Sequence, residues 1–216
     1  MEWTAQIDAY CERLAPGLWA EPLNAVTNLA FVLAAAWMWH RLRGQRLLLA
    51  RVLTAVLALV GLASGAWHTL AQGWAGAADS GSIALFIVIY LFGAHRHYWN
   101  MAPAMSVLCT ALTVPLLIAS TWILNWLPFL EISALYWSVA LLIAGHAAAL
   151  HGRTPATSRR LALGAAILAL SIALRSLDDA ACAALPFGTH FLWHLLNAAM
   201  LGWMIETLRR HVASAT

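Results

Sequence analysis

Residues 189–208 read THFLWHLLNAAMLGWMIETL, an apolar run that opens on two histidines four positions apart. A run of this length can cross the hydrocarbon core of a bilayer as an α-helix. Residues four apart lie on the same face of a helix, so His190 and His194 present their imidazole rings to one point. The spacing is typical of metal ligands. The stretch therefore predicts a membrane helix with two metal ligands at its start.

The composition indicates an integral membrane protein. Of the 216 residues, 62% are hydrophobic and only 10% are charged, and the mean hydropathy is +0.75. This is more apolar surface than a soluble domain of this length can bury. The net charge of +3 does not indicate a nucleic-acid partner, because the arginines fall in the loops between apolar runs and not on one face.

Seven apolar runs predict an all-α polytopic protein, a seven-helix membrane bundle that forms one domain over residues 1–216. We expect residues 1–23 to form an outer N-terminal segment, residues 24–208 the helices, and residues 209–216 a cytoplasmic tail. The runs cover approximately residues 24–39, 47–70, 80–92, 103–124, 132–150, 161–177 and 190–208.

The loop charges predict the orientation of the bundle. Arginines cluster after the first, third, fifth and seventh runs, whereas acidic residues precede the first run and follow the second, fourth and sixth. By the positive-inside rule the N-terminus is outside and the C-terminus is cytoplasmic. The end of the second run and the starts of the third and seventh then share the outer side of the membrane, which is the inner or plasma membrane if the host is bacterial.

The second apolar run ends with another pair of polar residues four positions apart. Ser64 and His68 lie on one helix face, and Asp79 follows eleven residues after His68, where we expect the third helix to begin. A single histidine in an apolar helix is usually a packing residue, but several ionisable groups at one membrane depth indicate function. We predict that His68, His190 and His194 hold a catalytic zinc ion.

The two other residues of the cluster have predicted catalytic roles. Zinc with three imidazole ligands keeps a position at which water becomes nucleophilic. Asp79 would take a proton from that water, and Ser64 would donate a hydrogen bond to the developing oxyanion. The alternatives are that Asp79 only caps the third helix and that Ser64 only lets two helices approach closely.

The remaining histidines and the cysteines have simpler interpretations. His146 is expected to pack inside the fifth helix, and the other histidines accompany arginines at the cytoplasmic boundary. Cys11 and Cys182 both lie in predicted outer segments, where thiols oxidise, so a disulfide between them is expected. Two free thiols are the alternative, since loop geometry is not encoded in the spacing. Cys109 lies inside the fourth helix.

Several short motifs in one order resemble the alkaline ceramidases, which belong to the CREST superfamily of seven-helix membrane hydrolases. The resemblance extends over about residues 8–208. It implies a zinc site made by Ser64, His68, Asp79, His190 and His194, and hydrolysis of the ceramide amide to a sphingoid base and a fatty acid. The matching motifs are Tyr10-Cys11-Glu12, Glu21-Pro22-Leu23-Asn24 with Thr27-Asn28, Ser64-x3-His68, Asp79, Asp178-x3-Cys182 and Thr189-His190-x3-His194.

The same resemblance implies a possible calcium site in the N-terminal segment. Glu12 and Glu21 match positions that bind calcium in some alkaline ceramidases. Ala9 stands where the pattern has an Asp, and Leu14 replaces a polar ligand. Asp8 would complete the site only with a shift of register.

The sequence thus predicts a zinc-dependent intramembrane hydrolase that acts on ceramide or a related lipid amide from the outer side of the membrane. A receptor-like lipid-binding protein of the same superfamily is the main alternative, because it would share the metal site. A metal or proton transporter is the third, but it requires polar residues that continue to the cytoplasmic face, and the second, third and seventh runs lack them. The expected partners are membrane lipids and the lipid amide, with no nucleic acid.

Overall fold

The computed structural model describes residues 3–214, and this part of the chain is all-helical, with no strand. A π-helical turn, Ala94–Tyr98, extends α4, and a 3₁₀ turn, Glu131–Ser133, precedes α6. The α-helices are α1 (Pro22–Thr27), α2 (Leu29–Arg41), α3 (Leu48–Leu70), α4 (Gly73–Gly93), α5 (Pro103–Leu124), α6 (Ala134–Ala149), α7 (Pro155–Ser176), α8 (Asp178–Ala181) and α9 (His190–Ser214).

Six helical segments in the described chain are long and apolar enough to cross a membrane, which agrees with a multi-pass membrane protein. They are α1 with α2, α3, α4 with its π turn, α5, the 3₁₀ turn with α6, and α7. The 25-residue helix α9 is long enough but is not among them. It carries His190, His194, Asn197 and Glu206 on an otherwise apolar sequence, and these polar residues lower its mean hydropathy. Asn197 and Glu206 contradict the expectation that this run has no polar residues beyond the metal ligands.

The structure corrects the predicted start of the third membrane helix. Helix α4 begins at Gly73 and not near residue 80, so Asp79 lies in its second turn and does not cap it. The Gly-rich stretch is helical because it packs closely on α3: a Cβ atom on Gly76 would lie 3.1 Å from the Trp67 ring. A side chain at this position would require the Trp67 ring to move by a few tenths of an ångström, whereas glycine fits without any shift.

Three other boundaries differ from the predicted ones. Helix α7 begins at Pro155 and not near residue 161. The first membrane helix is broken at Asn28 into α1 and α2. Helix α9 continues to Ser214, so residues 209–214 of the predicted tail are helical. Helices end where backbone groups find other partners, which apolar runs do not reveal.

Helix α9 lies against several other helices and positions the centre. It packs on α7, α2 and α3, while α3 also packs on α4. The first turn of α9 therefore faces the last turn of α3, which carries His68. At the opposite end of α9 the Glu206 carboxylate, 3% exposed, accepts hydrogen bonds from Arg41 of α2 and from Arg209 and Arg210 of its own helix.

The N-terminal segment is fastened across the start of α9. Cys11 and Cys182 form a disulfide, with Cα atoms 5.5 Å apart, and Cys109 is free. The backbone N–H of Ile7 also donates to the Ala71 carbonyl at 2.7 Å, just after α3 ends. These contacts hold residues 7–11 beside the turns that carry the predicted metal ligands.

Candidate metal centre

The three predicted histidine ligands come together, although α3 and α9 are far apart in sequence. His68, His190 and His194 are 1–2% exposed, and their ring centroids lie 4.6–5.1 Å from one another. One nitrogen from each ring lies within 4.8 Å of the other two. Within residues 3–214 this is the one group of three His, Cys, Asp or Glu side chains placed to hold a metal ion.

The hydrogen bonds of two of these rings define which nitrogen carries the proton. The Nδ1 atom of His68 lies 2.6 Å from the Glu21 carboxylate, which as an anion only accepts, so Nδ1 is protonated. The Nδ1 atom of His194 lies 2.9 Å from the Thr27 hydroxyl. That hydroxyl donates its single hydrogen to the Leu23 carbonyl at 2.8 Å, so it accepts from His194.

Both Nε2 atoms are therefore left with lone pairs, and they face each other at 3.1 Å in an apolar interior. Two facing lone pairs repel unless a cation lies between them. Nitrogens bound to one tetrahedral zinc ion are separated by roughly 3.4 Å, close to the separation here. A proton would join only two nitrogens, whereas the third imidazole of His190 fits a metal ion. The donor set therefore fits a divalent metal that prefers imidazole ligands.

The third ligand is supported by the N-terminal segment and by Asp178, the first residue of α8. The Asp178 carboxylate accepts the backbone N–H groups of Thr189 and His190 at 2.7 and 2.8 Å. Its second oxygen accepts the N–H of Cys11 at 3.1 Å. An aspartate that receives the first N–H groups of a helix stabilises that end, so Asp178 joins the start of α9 to the segment beside it.

Tyr10 covers the His190 ring. The two rings are stacked with centroids 3.9 Å apart, and Tyr10 also lies 4.9 Å from the His68 ring. Its hydroxyl accepts from the Trp67 indole N–H at 3.4 Å. Burial raises the pKa of the Tyr10 phenol, so it is neutral. The Nδ1 atom of His190 is buried and has no hydrogen-bond partner among the described residues, as expected of a ring that a ligand completes.

Glu21 has a different role from the one expected. One carboxylate oxygen accepts a hydrogen bond from His68, and the other accepts one from Nε of the buried Arg13 at 2.6 Å. Burial raises the pKa of Glu21, but the hydrogen bonds and charges of His68 and Arg13 outweigh burial and keep this pKa below its usual value. A carboxylate that holds a ligand histidine fixes the ring and strengthens it as a donor. The positive charge beside Glu21 is therefore that of Arg13, where calcium was expected.

The expected calcium ligands do not converge on a pocket. Glu12 caps α1, because its two oxygens accept the backbone N–H groups of Leu23 and Asn24 at 2.7 and 2.8 Å. Asp8 is exposed, and Glu21 is occupied by His68 and Arg13. Glu12 thus caps a helix and Glu21 positions a predicted metal ligand. The spacing of these residues in the sequence does not reveal either role.

Ser64 and Asp79 meet beside the three histidines. Ser64 lies close enough to the Asp79 carboxylate to interact with it, and Ser64 lies one turn before His68 on α3. One oxygen of Asp79 is buried without a partner among the described residues. A buried carboxylate oxygen without a donor is costly, so it is available to a water molecule or a substrate N–H group.

The same two residues form the polar end of a narrow apolar cavity of about 80 Å³. One face of α4 and its π turn, from Asp79 to Tyr98, lines the cavity, a distance of about 28 Å along the helix axis at 1.5 Å per residue. Tyr90 and Tyr98 are at its far end, with their hydroxyls hydrogen-bonded at 2.7 Å. An acyl chain in one leaflet is about 15 Å long, half of a 30 Å hydrocarbon core, so the lined face of α4 is longer than such a chain.

Sequence reasoning missed one charged residue at the polar end. Arg175, in the last turn of α7, lies over the Tyr136 and Trp193 rings at 5.5 and 5.6 Å from their centroids. Both rings line the cavity. An arginine near the end of an apolar run at the predicted outer side departs from the positive-inside pattern, and that departure was the available signal.

A search against models of known protein families and a search of curated proteins found no match to this chain.

Proposed function

We propose that this protein is a zinc-dependent hydrolase that cleaves the amide bond of ceramide-type lipids, giving a sphingoid base and a fatty acid. The observation that carries the proposal is the pair of bare Nε2 atoms on His68 and His194, 3.1 Å apart, next to a third buried imidazole. Ser64 and Asp79 lie beside this centre at the polar end of an apolar cavity that extends along α4.

The chain's own residues suit amide hydrolysis. When bound, zinc supplies a Lewis acid that makes water nucleophilic near neutral pH. Asp79 would hold and accept a proton of the attacking water through its unpartnered oxygen. The Ser64 hydroxyl would donate to the amide oxygen as negative charge develops there. The apolar cavity would orient the acyl chain and exclude bulk water from the reacting amide.

We propose a topology of seven crossings for the same molecule, with α9 as the seventh. Its 25 residues extend about 37 Å at 1.5 Å per residue, and its polar residues are directed inward, since His190, His194, Asn197 and Glu206 are all buried. The loop arginines favour an outer N-terminus and an outer metal centre.

Incubation of the purified, zinc-loaded protein with a panel of ceramides tests the proposal, with mass spectrometry of the released base and fatty acid. We expect stoichiometric release of both products, and none from a His190→Ala/His194→Ala variant. Binding of ceramide without turnover in the zinc-loaded protein would contradict the hydrolase and favour the receptor-like alternative.

A further inference from the structure

Arg175 is a cation whose position the proposed chemistry does not explain. Its Nη1 donates to the Ser133 hydroxyl at 2.8 Å and to the Ile132 carbonyl at 3.3 Å, which fixes the guanidinium at the 3₁₀ turn before α6. Tyr136 and Trp193 provide two aromatic rings for it. Arginine binds planar anions with two parallel hydrogen bonds when its guanidinium is held in this way.

The charge of Arg175 has no anionic partner among residues 3–214. Arg13 pairs with Glu21, and Arg41, Arg209 and Arg210 share Glu206. Of the five guanidinium donors, those on Nε and Nη2 of Arg175 have no partner in the described chain. A half-buried cation that keeps free donors next to a cavity is a binding group for an anion.

The guanidinium lies at the metal end of the cavity. The Thr189 hydroxyl donates to the Leu174 carbonyl at 2.5 Å, which places the last turn of α7 beside the first turn of α9. Trp193, under the guanidinium, directly precedes the ligand His194. The positive charge is also close enough to act on Asp79 and Tyr10.

We propose that Arg175 binds an anionic group on the amine portion of the substrate, so that lipid amides with a carboxylate, sulfonate or phosphate head group are preferred over those with a neutral head group, such as ceramide itself. This inference rests on the proposed amide hydrolysis. With the acyl chain in the cavity and the amide beside Ser64 and Asp79, the amine portion is directed out of the cavity, towards the unpaired guanidinium. A neutral head group would leave those donors to water.

A matched panel of four lipid amides with the same acyl chain tests the head group. N-palmitoylethanolamine is neutral, whereas N-palmitoylglycine, N-palmitoyltaurine and the phosphate ester of N-palmitoylethanolamine carry the three anions. The variants are Arg175→Gln, which removes the charge, and Arg175→Lys, which keeps it. Arg153→Gln is the control, because Arg153 also lies over a tryptophan ring, Trp99 at 5.3 Å, but is exposed and far from Ser64 and Asp79.

We expect KM for at least one anionic amide to be about tenfold or more below that of the neutral amide, since charge-assisted hydrogen bonds are roughly twice as strong as neutral ones. Arg175→Gln should abolish this difference, which is the ratio of the KM values that one variant shows for the neutral and the anionic amide. Arg175→Lys should restore part of it, and Arg153→Gln should preserve it. The three anions distinguish carboxylate, sulfonate and phosphate recognition.

Three results would overturn the inference. An equal loss with neutral and anionic amides in Arg175→Gln would show a structural role. Weaker inhibition by palmitate without any change in head-group preference would assign the guanidinium to the fatty-acid product. Equal KM values for all four amides in the wild-type protein would show that it has no anion preference.

Binding of the same amides to chelator-treated, metal-free protein separates this inference from the hydrolase proposal. Displacement of a fluorescent fatty amide gives the affinities without turnover. If wild-type protein turns over none of the four, an anionic preference in binding that Arg175→Gln removes still supports Arg175 as the anion site. Equal binding of all four amides would reject it independently.

Discussion

Histidines cluster at both ends of the cavity, but only one cluster has the geometry of a metal site. At the α3/α9 end, the Nδ1–H groups of His68 and His194 donate to Glu21 and Thr27, and the Nε2 atoms converge at 3.1 Å. At the opposite end, His95 donates Nδ1–H to Thr110 and His146 donates to the Leu142 carbonyl, and these two rings are 6.0 Å apart.

In the cluster at the opposite end, ordinary hydrogen bonds therefore satisfy the histidine nitrogens. The two nitrogens of His211 bond to Thr157 at 2.8 Å and to the His97 carbonyl at 3.1 Å. Within residues 3–214 no third ligand atom joins His95 and His146. Neither the number of histidines nor their burial is therefore enough to make a metal centre. A metal centre requires ring nitrogens whose lone pairs converge on one point. Hydrogen-bond partners on the other nitrogen of each ring fix the ring in that orientation.

The largest expected difference is between two double variants, one that removes metal ligands at the α3/α9 end and one that removes two histidines at the opposite end. His190→Ala/His194→Ala should lose the bound zinc and all amide hydrolysis, because one imidazole does not retain the ion. His95→Ala/His146→Ala should keep one zinc per chain. Elemental analysis of the purified variants measures this, and equal zinc content in both would remove the distinction between the two ends.

A second prediction concerns Asp79, which the structure places in the second turn of α4. Asp79→Asn should keep the zinc and lower the rate by about 10²- to 10⁴-fold, the usual contribution of a general base. Asp179→Asn, a change at an exposed aspartate beside α9, is the control and should be neutral. Zinc content and ceramide hydrolysis are measured together. Loss of zinc in Asp79→Asn would make Asp79 a ligand, and unchanged hydrolysis would exclude its catalytic role.

The third test compares the two buried glutamates that accept hydrogen bonds from arginines. Glu21→Gln should weaken zinc binding by about 10- to 100-fold, because an amide orients His68 without the negative charge. Glu206→Gln also removes a buried carboxylate beside arginines, but at the other end of α9, and should leave zinc affinity unchanged. Competition with a chelator gives both affinities. Equal weakening in the two variants would indicate a general loss of packing.

The smallest effect on the centre is expected from the disulfide. Cys11→Ser/Cys182→Ser should keep the zinc, because its ligands belong to α3 and α9, and should lower the free energy of unfolding by about 2–4 kcal/mol. Cys109→Ser is the control, and thermal unfolding is the measurement. Thiol labelling of the denatured, unreduced wild-type protein should find one reactive cysteine; three would contradict the bridge.

Some of the centre was predictable because helical spacing is local. His190 with His194, and Ser64 with His68, share faces through the 3.6-residue period alone. The partners of these residues were not predictable: Glu21 reaches His68 across 47 positions, and Thr27 reaches His194 across 167. No periodicity connects such positions, so Glu21 was interpreted as a calcium ligand when its oxygens serve His68 and Arg13.

The sequence by itself determined the helical class, the membrane-like composition and the residue types of the centre, since apolar content and helical period follow from local chemistry. Tertiary structure decided the rest. Packing of Gly76 on Trp67 extended α4 back to Gly73 and put Asp79 inside the helix. Contact between α3 and α9 turned three separate histidines into one buried donor set. Within residues 3–214 the helices around Arg175 give its guanidinium no acidic partner and leave its Nε and Nη2 donors free, because whether a charge finds a partner depends on which helices meet.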